Sequence, residues 1–196
     1  MVNLSNHPPQ TSVASGFKRK LDFGRDIEPM ITKYHLENND DCKEAVELIK
    51  KGDPKGYNQL GVLFINNVHL TLGEQRNVFL MCEKAVNMGL EDARFNLGGL
   101  YLVGAGVKKD AVKGVTMMES TFLMVFSKVF LNYPLDSEES IRLRRLHDYF
   151  ILGMDKVNRG AASGDFKLLN EGHHELLELF ELITLVYETN DVSILM

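Results

Sequence analysis

The stretch ARFNLGGLYLVGAGVKKDAV, residues 93–112, places four glycines in twenty residues. A helix interior disfavours glycine by about 1 kcal/mol relative to alanine, so Gly98 within the apolar run needs a compensating role. The gain is close approach, because a residue without a Cβ lets a neighbouring helix pack against it. Gly104 and Gly106 follow Tyr101 and mark a turn whose backbone enters the left-handed region. Asp110 then supplies the side-chain acceptor that opens the next helix. Gly99 has no separate role in this reading.

The pattern occurs twice. The segment GDPKGYNQLGVLF (52–64) aligns with GLEDARFNLGGLY (89–101), pairing Gly52 with Gly89, Leu60 with Leu97, Gly61 with Gly98, Leu63 with Leu100 and Phe64 with Tyr101, each 37 positions apart. Gly56 meets Ala93 at the same offset, one small residue for another. Tyr57-Asn58 falls one column short of Phe95-Asn96, so those residues are not anchors of the alignment. The helix ends also match, with KAVNMG (84–89) echoing ELIKKG (47–52). A fixed period in the thirties, with one helix pair per period, is the signature of a helical solenoid. AASGD (161–165) echoes the start of a unit, but FKLLNEGHH after it does not repeat the Leu-Gly pair, so two units are recognisable.

The set Gly89, Ala93, Leu97, Gly98, Leu100, Tyr101, Gly104, Gly106, Val107 and Asp110 resembles the Sel-one-like repeat, a relative of the tetratricopeptide repeat. The unit at 52–88 is a weaker match, through Gly52, Leu60, Gly61, Leu63, Phe64 and Ala85, and lacks the Gly-x-Gly turn. The resemblance covers roughly residues 45–120. It implies antiparallel helix pairs stacked into a right-handed superhelix whose concave face holds a protein partner. Family members serve as adaptors, regulators of enzyme complexes, secreted effectors and toxin neutralisers.

Around this block the spacing is helical almost throughout. Asp26 and Pro29 predict a helix over 27–37, and Asp40 or Asp41 caps one running to Lys51 that stops at Gly52. In the first unit Asn66 and Asn67 are expected to take the turn that glycine takes in the second. Residues 115–132 read as a long helix, and TFLMVFSKVFL (121–131) within it as a central buried one. After the break at YPLDS, Ser137 caps a further helix, and a terminal helix covers about 165–189. It carries Leu176, Leu179, Phe180, Ile183 and Val186 in one stripe, with Glu175, Glu178 and Glu181 on an acidic flank that suits a basic partner.

Composition bounds the function. The 196 residues are 44 % apolar and 25 % charged, with a net charge of −5, which suits one packed domain and argues against a nucleic-acid surface. The apolar run at 121–131 is shorter than the ~20 residues that span a bilayer. The first twenty residues hold no apolar leader core, so a cytoplasmic site is expected, or a periplasmic one if a leader was removed. Cys42 and Cys82 favour two buried thiols over a bridge.

Catalytic and metal signals are weak. His173-His174-Glu175, with Glu171, gives one Glu-x-x-His where a di-metal bundle needs two, and a zincin needs His-Glu-x-x-His. Arg142, Arg145 and Asp148 share a helical flank that reads as a solvated face before an anion contact. Ser163 lies outside any Gly-x-Ser-x-Gly elbow.

The sequence thus predicts an all-α chain of seven or eight helices, stacked as a short right-handed α-solenoid, with tails at 1–25 and 191–196 and the repeat domain over 26–190. It reads as a non-enzymatic adaptor or regulator that needs no cofactor and binds another protein. A toxin-neutralising immunity protein is the narrower alternative, and a metal-binding or enzymatic protein using the histidine-bearing last helix is a second. The expected partner surface comprises Tyr57, Asn58, Arg94, Asn96 and Tyr101, although Tyr101 serves equally as a repeat-core residue.

Overall fold

The computed structural model describes residues 20–67 and 69–195. Among them the chain is all-α, with no strand. A π-helical turn, Phe23–Ile27, leads into α1 (Glu28–Lys33), α2 (Asp40–Lys50), α3 (Pro54–Asn67), α4 (Leu72–Asn87), α5 (Ala93–Val103), α6 (Ala111–Phe130), α7 (Glu138–Ser163) and α8 (Phe166–Thr189), and a 3₁₀ turn closes the chain at Val192–Leu195. Of the tail expected over 1–25, residues 1–19 lie outside the described residues. Ile27 and Val192, near the two ends, are both buried.

Local chemistry sets most boundaries. Asn39, Asp110, Ser137 and Asp165 each accept a hydrogen bond from the first turn of the helix that follows, satisfying donors that a helix start otherwise leaves open. Thr71 and Glu74 form a reciprocal capping box at the start of α4. Gly104 and Gly106 have φ of 81° and 69°, as the turn after Tyr101 requires.

Two boundaries differ from expectation. The first helix ends at Lys33 rather than at residue 37, because His35 takes φ 55°. Asn66 and Asn67 continue α3 instead of turning. The Thr71–Glu74 box opens the following helix at Leu72.

The close approaches assigned to glycine are present. A Cβ on Gly98 would lie 2.8 Å from both the Gly114 carbonyl oxygen and Met118 Cγ, and one on Gly61 would lie 3.1 Å from Cys82 Sγ and 3.9 Å from Met81 Cβ. Met81 and Met118, both fully buried, are themselves 37 positions apart. Gly56, at the α2–α3 contact, would meet the Ala45 carbonyl at 2.4 Å. Both cysteines are buried and free, and burial pushes the Cys82 thiol up to about 12.

Two apolar cores share α5. Leu97 and Leu100 belong to the core built with α1–α4, whereas Phe95 and Leu102 belong to the one built with α6–α8. That double duty explains why α5 is apolar around nearly its whole circumference. The expected central helix, α6, is buried on one face only, through Met118, Phe122, Val125 and Val129, with Leu123 40 % exposed. No described helix is long and apolar enough to cross a membrane.

Candidate functional site

The five residues expected at a partner surface fall into three settings. Asn58 on α3 and Asn96 on α5 face one another, Asn96 Nδ2 donating to Asn58 Oδ1 at 3.0 Å. Tyr57 instead points into the core, 7 % exposed, its hydroxyl accepting from Lys84 Nζ at 2.6 Å. Tyr101 packs edge-on against Phe79 with centroids 5.3 Å apart, and Lys113 Nζ sits 3.9 Å over its ring. Arg94 pairs with Glu91 at 3.4 Å. The asparagine pair therefore marks one face of α3 and α5, while the tyrosines serve the packing behind it.

Helix α8 lies across that face. Phe180 stacks on Phe95 with centroids 4.0 Å apart and planes parallel, and Lys55 on α3 reaches Glu188 at 3.1 Å. Farther along, His173 Nε2 occupies the space a Gly99 side chain would fill, 2.3 Å from the position of a Cβ. Gly99 thus gains the role the sequence reading left open: it admits an imidazole from a helix seventy residues away.

A trough runs between α8 and the α2–α3–α5 wall. One part, about 390 Å³, is lined by Asn58, Gln59, Asn96, Leu177 and Phe180 with Asp41, Glu44 and Glu181 at its rim. A second, about 530 Å³, continues past Glu44, Asn58 and Gln59 to Asp53, Asp92, Thr184 and Glu188. At the other end Val62, Asn66, Asn96 and Leu177 lead into a cleft of about 310 Å³ that reaches Gly99 and His173. From residue 173 to residue 188 the α8 wall is about 22 Å long at 1.5 Å per residue.

The trough is acidic. Asp41, Glu44, Asp53, Asp92, Glu181 and Glu188 line the two parts away from the His173 cleft, against the single described base Lys55, which is paired with Glu188. Burial raises the Asp92 carboxyl above the usual range, Lys128 and Lys55 pull it down, and Glu188 and Glu91 push it up.

Among the described residues, His173 Nε2 and Thr184 Oγ1 are buried side-chain polar atoms without a hydrogen-bond partner. Both line this trough, and at eleven residues' spacing they lie on one face of α8. Buried polar atoms are normally bonded, so two orphans along one wall are notable. Burial, then the neighbouring His174, pushes the His173 imidazole down to about 4. His174 turns away to Glu178 at 3.2 Å, and no three metal-ligating side chains converge among the described residues.

The sequence carried signals for parts of this site. The acidic flank of α8 was visible as Glu175, Glu178 and Glu181, yet only Glu181 lines the trough. Thr184 and Gln59 carry no spacing signal. No protein-family model, curated protein or solved structure matches the chain.

Proposed function

We propose that this protein is a non-enzymatic interaction module, a short right-handed α-solenoid of Sel-one-like hairpins whose trough receives an extended basic segment of another protein. The matched small residues support the stacking: Gly61 and Gly98 both open their helix face to a methionine of the following helix. The acidic trough carries the binding assignment. Its length suits about six or seven extended residues at ~3.3 Å each. The Asn58–Asn96 pair on its wall offers amide groups that match a peptide backbone, and the carboxylates around them favour lysine or arginine. α8 forms one wall, so the partner lies between α8 and α3 rather than on an open concave face.

Selection of a random peptide library on the immobilised protein tests this. Enriched peptides should be rich in lysine and arginine, and their binding should weaken with salt and be lost in the double charge reversal Glu44→Lys, Glu181→Lys. Peptides without basic bias, or unaffected by that reversal, would contradict it.

A further inference from the structure

The cleft at the His173 end differs chemically from the rest of the trough. None of its described lining residues is an aspartate, glutamate, lysine or arginine. Val62, Leu100, Val103 and Leu177 give it apolar walls, and Asn66 and Asn96 stand where it opens into the acidic part. Its volume of about 310 Å³ is at the small end of ligand pockets, enough for one bicyclic ring. On its inner wall His173 Nε2 has no partner. A neutral imidazole carries one donor and one acceptor nitrogen, so the unpartnered Nε2 can accept from a donor that enters the cleft. Gly99 has only a hydrogen where a Cβ would crowd Nε2, which leaves the ring room on that side of the cleft.

We infer that the cleft takes an aromatic side chain bearing an N–H or O–H donor, tryptophan or tyrosine, as the anchor residue of the basic segment, its donor bonding His173 Nε2. This rests on the trough being the binding surface. An apolar side chain without a donor would fill the space but leave the nitrogen unsatisfied, and a charged one would lose its hydration without a counter-charge. Aromatic residues with a polar edge are the side chains that most often anchor interfaces in such pockets.

The test uses three probes on the full chain: acetyl-Lys-Lys-Trp-Lys-Lys-amide, the same peptide with alanine in place of tryptophan, and free indole. Binding is measured by calorimetry, and the imidazole nitrogens of His173 are followed by nitrogen-15 NMR. The tryptophan peptide should bind about tenfold tighter than the alanine peptide and shift the Nε2 resonance towards that of a hydrogen-bonded acceptor. His173→Phe, which keeps a ring, should weaken the tryptophan peptide about fivefold, and Val103→Phe, which fills the cleft from its half-exposed rim, should remove the advantage of the tryptophan peptide over the alanine peptide. Equal binding of both peptides with His173 unmoved would overturn the anchor and leave the acidic trough standing. Failure of both peptides to bind would overturn the trough reading itself. Indole shifting His173 with no advantage to the tryptophan peptide would make the cleft a small-molecule site and overturn the inference.

Discussion

Phe95 and Phe180 stack face to face with centroids 4.0 Å apart, joining α5 to α8 across 85 residues of chain. Both rings are buried, Phe95 completely, and Phe180 lines the trough beside Asn96 and Leu177. Phe180→Ala should lower stability by about 3–5 kcal/mol. It should also loosen α8 from α5, seen in urea unfolding and in faster amide exchange along α8. A loss below about 1 kcal/mol would mean that α8 is held by α6 and α7 rather than by α5.

Gly98 and Gly114 bring α5 and α6 together backbone to backbone. A side chain on Gly98 would strike the Gly114 carbonyl, which cannot rotate away. Gly98→Leu should cost about 3 kcal/mol, lowering Tm by roughly 6–12 °C for a chain of this size. Gly73 in the first turn of α4 has nothing within 4 Å of the same position, so Gly73→Ala should leave Tm unchanged or raise it by a few degrees. Thermal denaturation of the two variants side by side checks the contrast.

His173 makes stability depend on pH. The unfolded chain takes up a proton near 6.5, whereas the folded chain refuses it until about 4. The contribution of neutral His173 is therefore complete above 6.5, falls on acidification through that interval, and is gone below about 4. At ~1.4 kcal/mol per pH unit the loss amounts to about 3 kcal/mol. Urea unfolding of the parent and His173→Phe across pH 4 to 7 should show this slope in the parent and its removal in the variant.

The Thr71–Glu74 box ties α4 to α1. Burial alone would raise the Glu74 carboxyl, yet hydrogen bonds from Lys33, Thr71 and Tyr34 bring it down to about 2. Its stabilising effect is present above the ordinary carboxylate pKa of ~4.5 and fades as pH falls towards 2. Thr71→Ala should lower stability by about 1 kcal/mol, measured by thermal or urea unfolding. Glu74→Ala should lower it further, because Lys33 loses its partner and Tyr34 one of its two acceptors as well.

The local half of the architecture was readable because it is written in spacing. Gly52 and Gly89 both take positive φ, at 76° and 97°, and Leu60 and Leu97 are both buried, as the 37-residue offset requires. Asp110 and Ser137 cap the helices expected of them. Thr71-Leu-Gly-Glu74 also carries a capping-box pattern, which marks the start of α4 at Leu72. The site was less legible, because it depends on where α8 returns. That path is fixed by Gly99 against His173 and Phe95 against Phe180, pairs about seventy and eighty-five residues apart with no period linking them. Asn58 and Asn96 meet although they are offset by 38 rather than 37 positions, since the two helices face each other at that point. Tyr57 and Tyr101, residue types common at interfaces, go to Lys84 and Phe79 instead.

The central claim is that a partner segment lies between α8 and the α2–α3–α5 wall. A crystal structure of the protein with a library-selected peptide tests it most directly. The account predicts an extended chain along the trough, with its backbone at Asn58 and Asn96 and its basic side chains at Glu44 and Glu181. A peptide bound instead on the outer face of α7, over the exposed Tyr149 and Leu152, would contradict it.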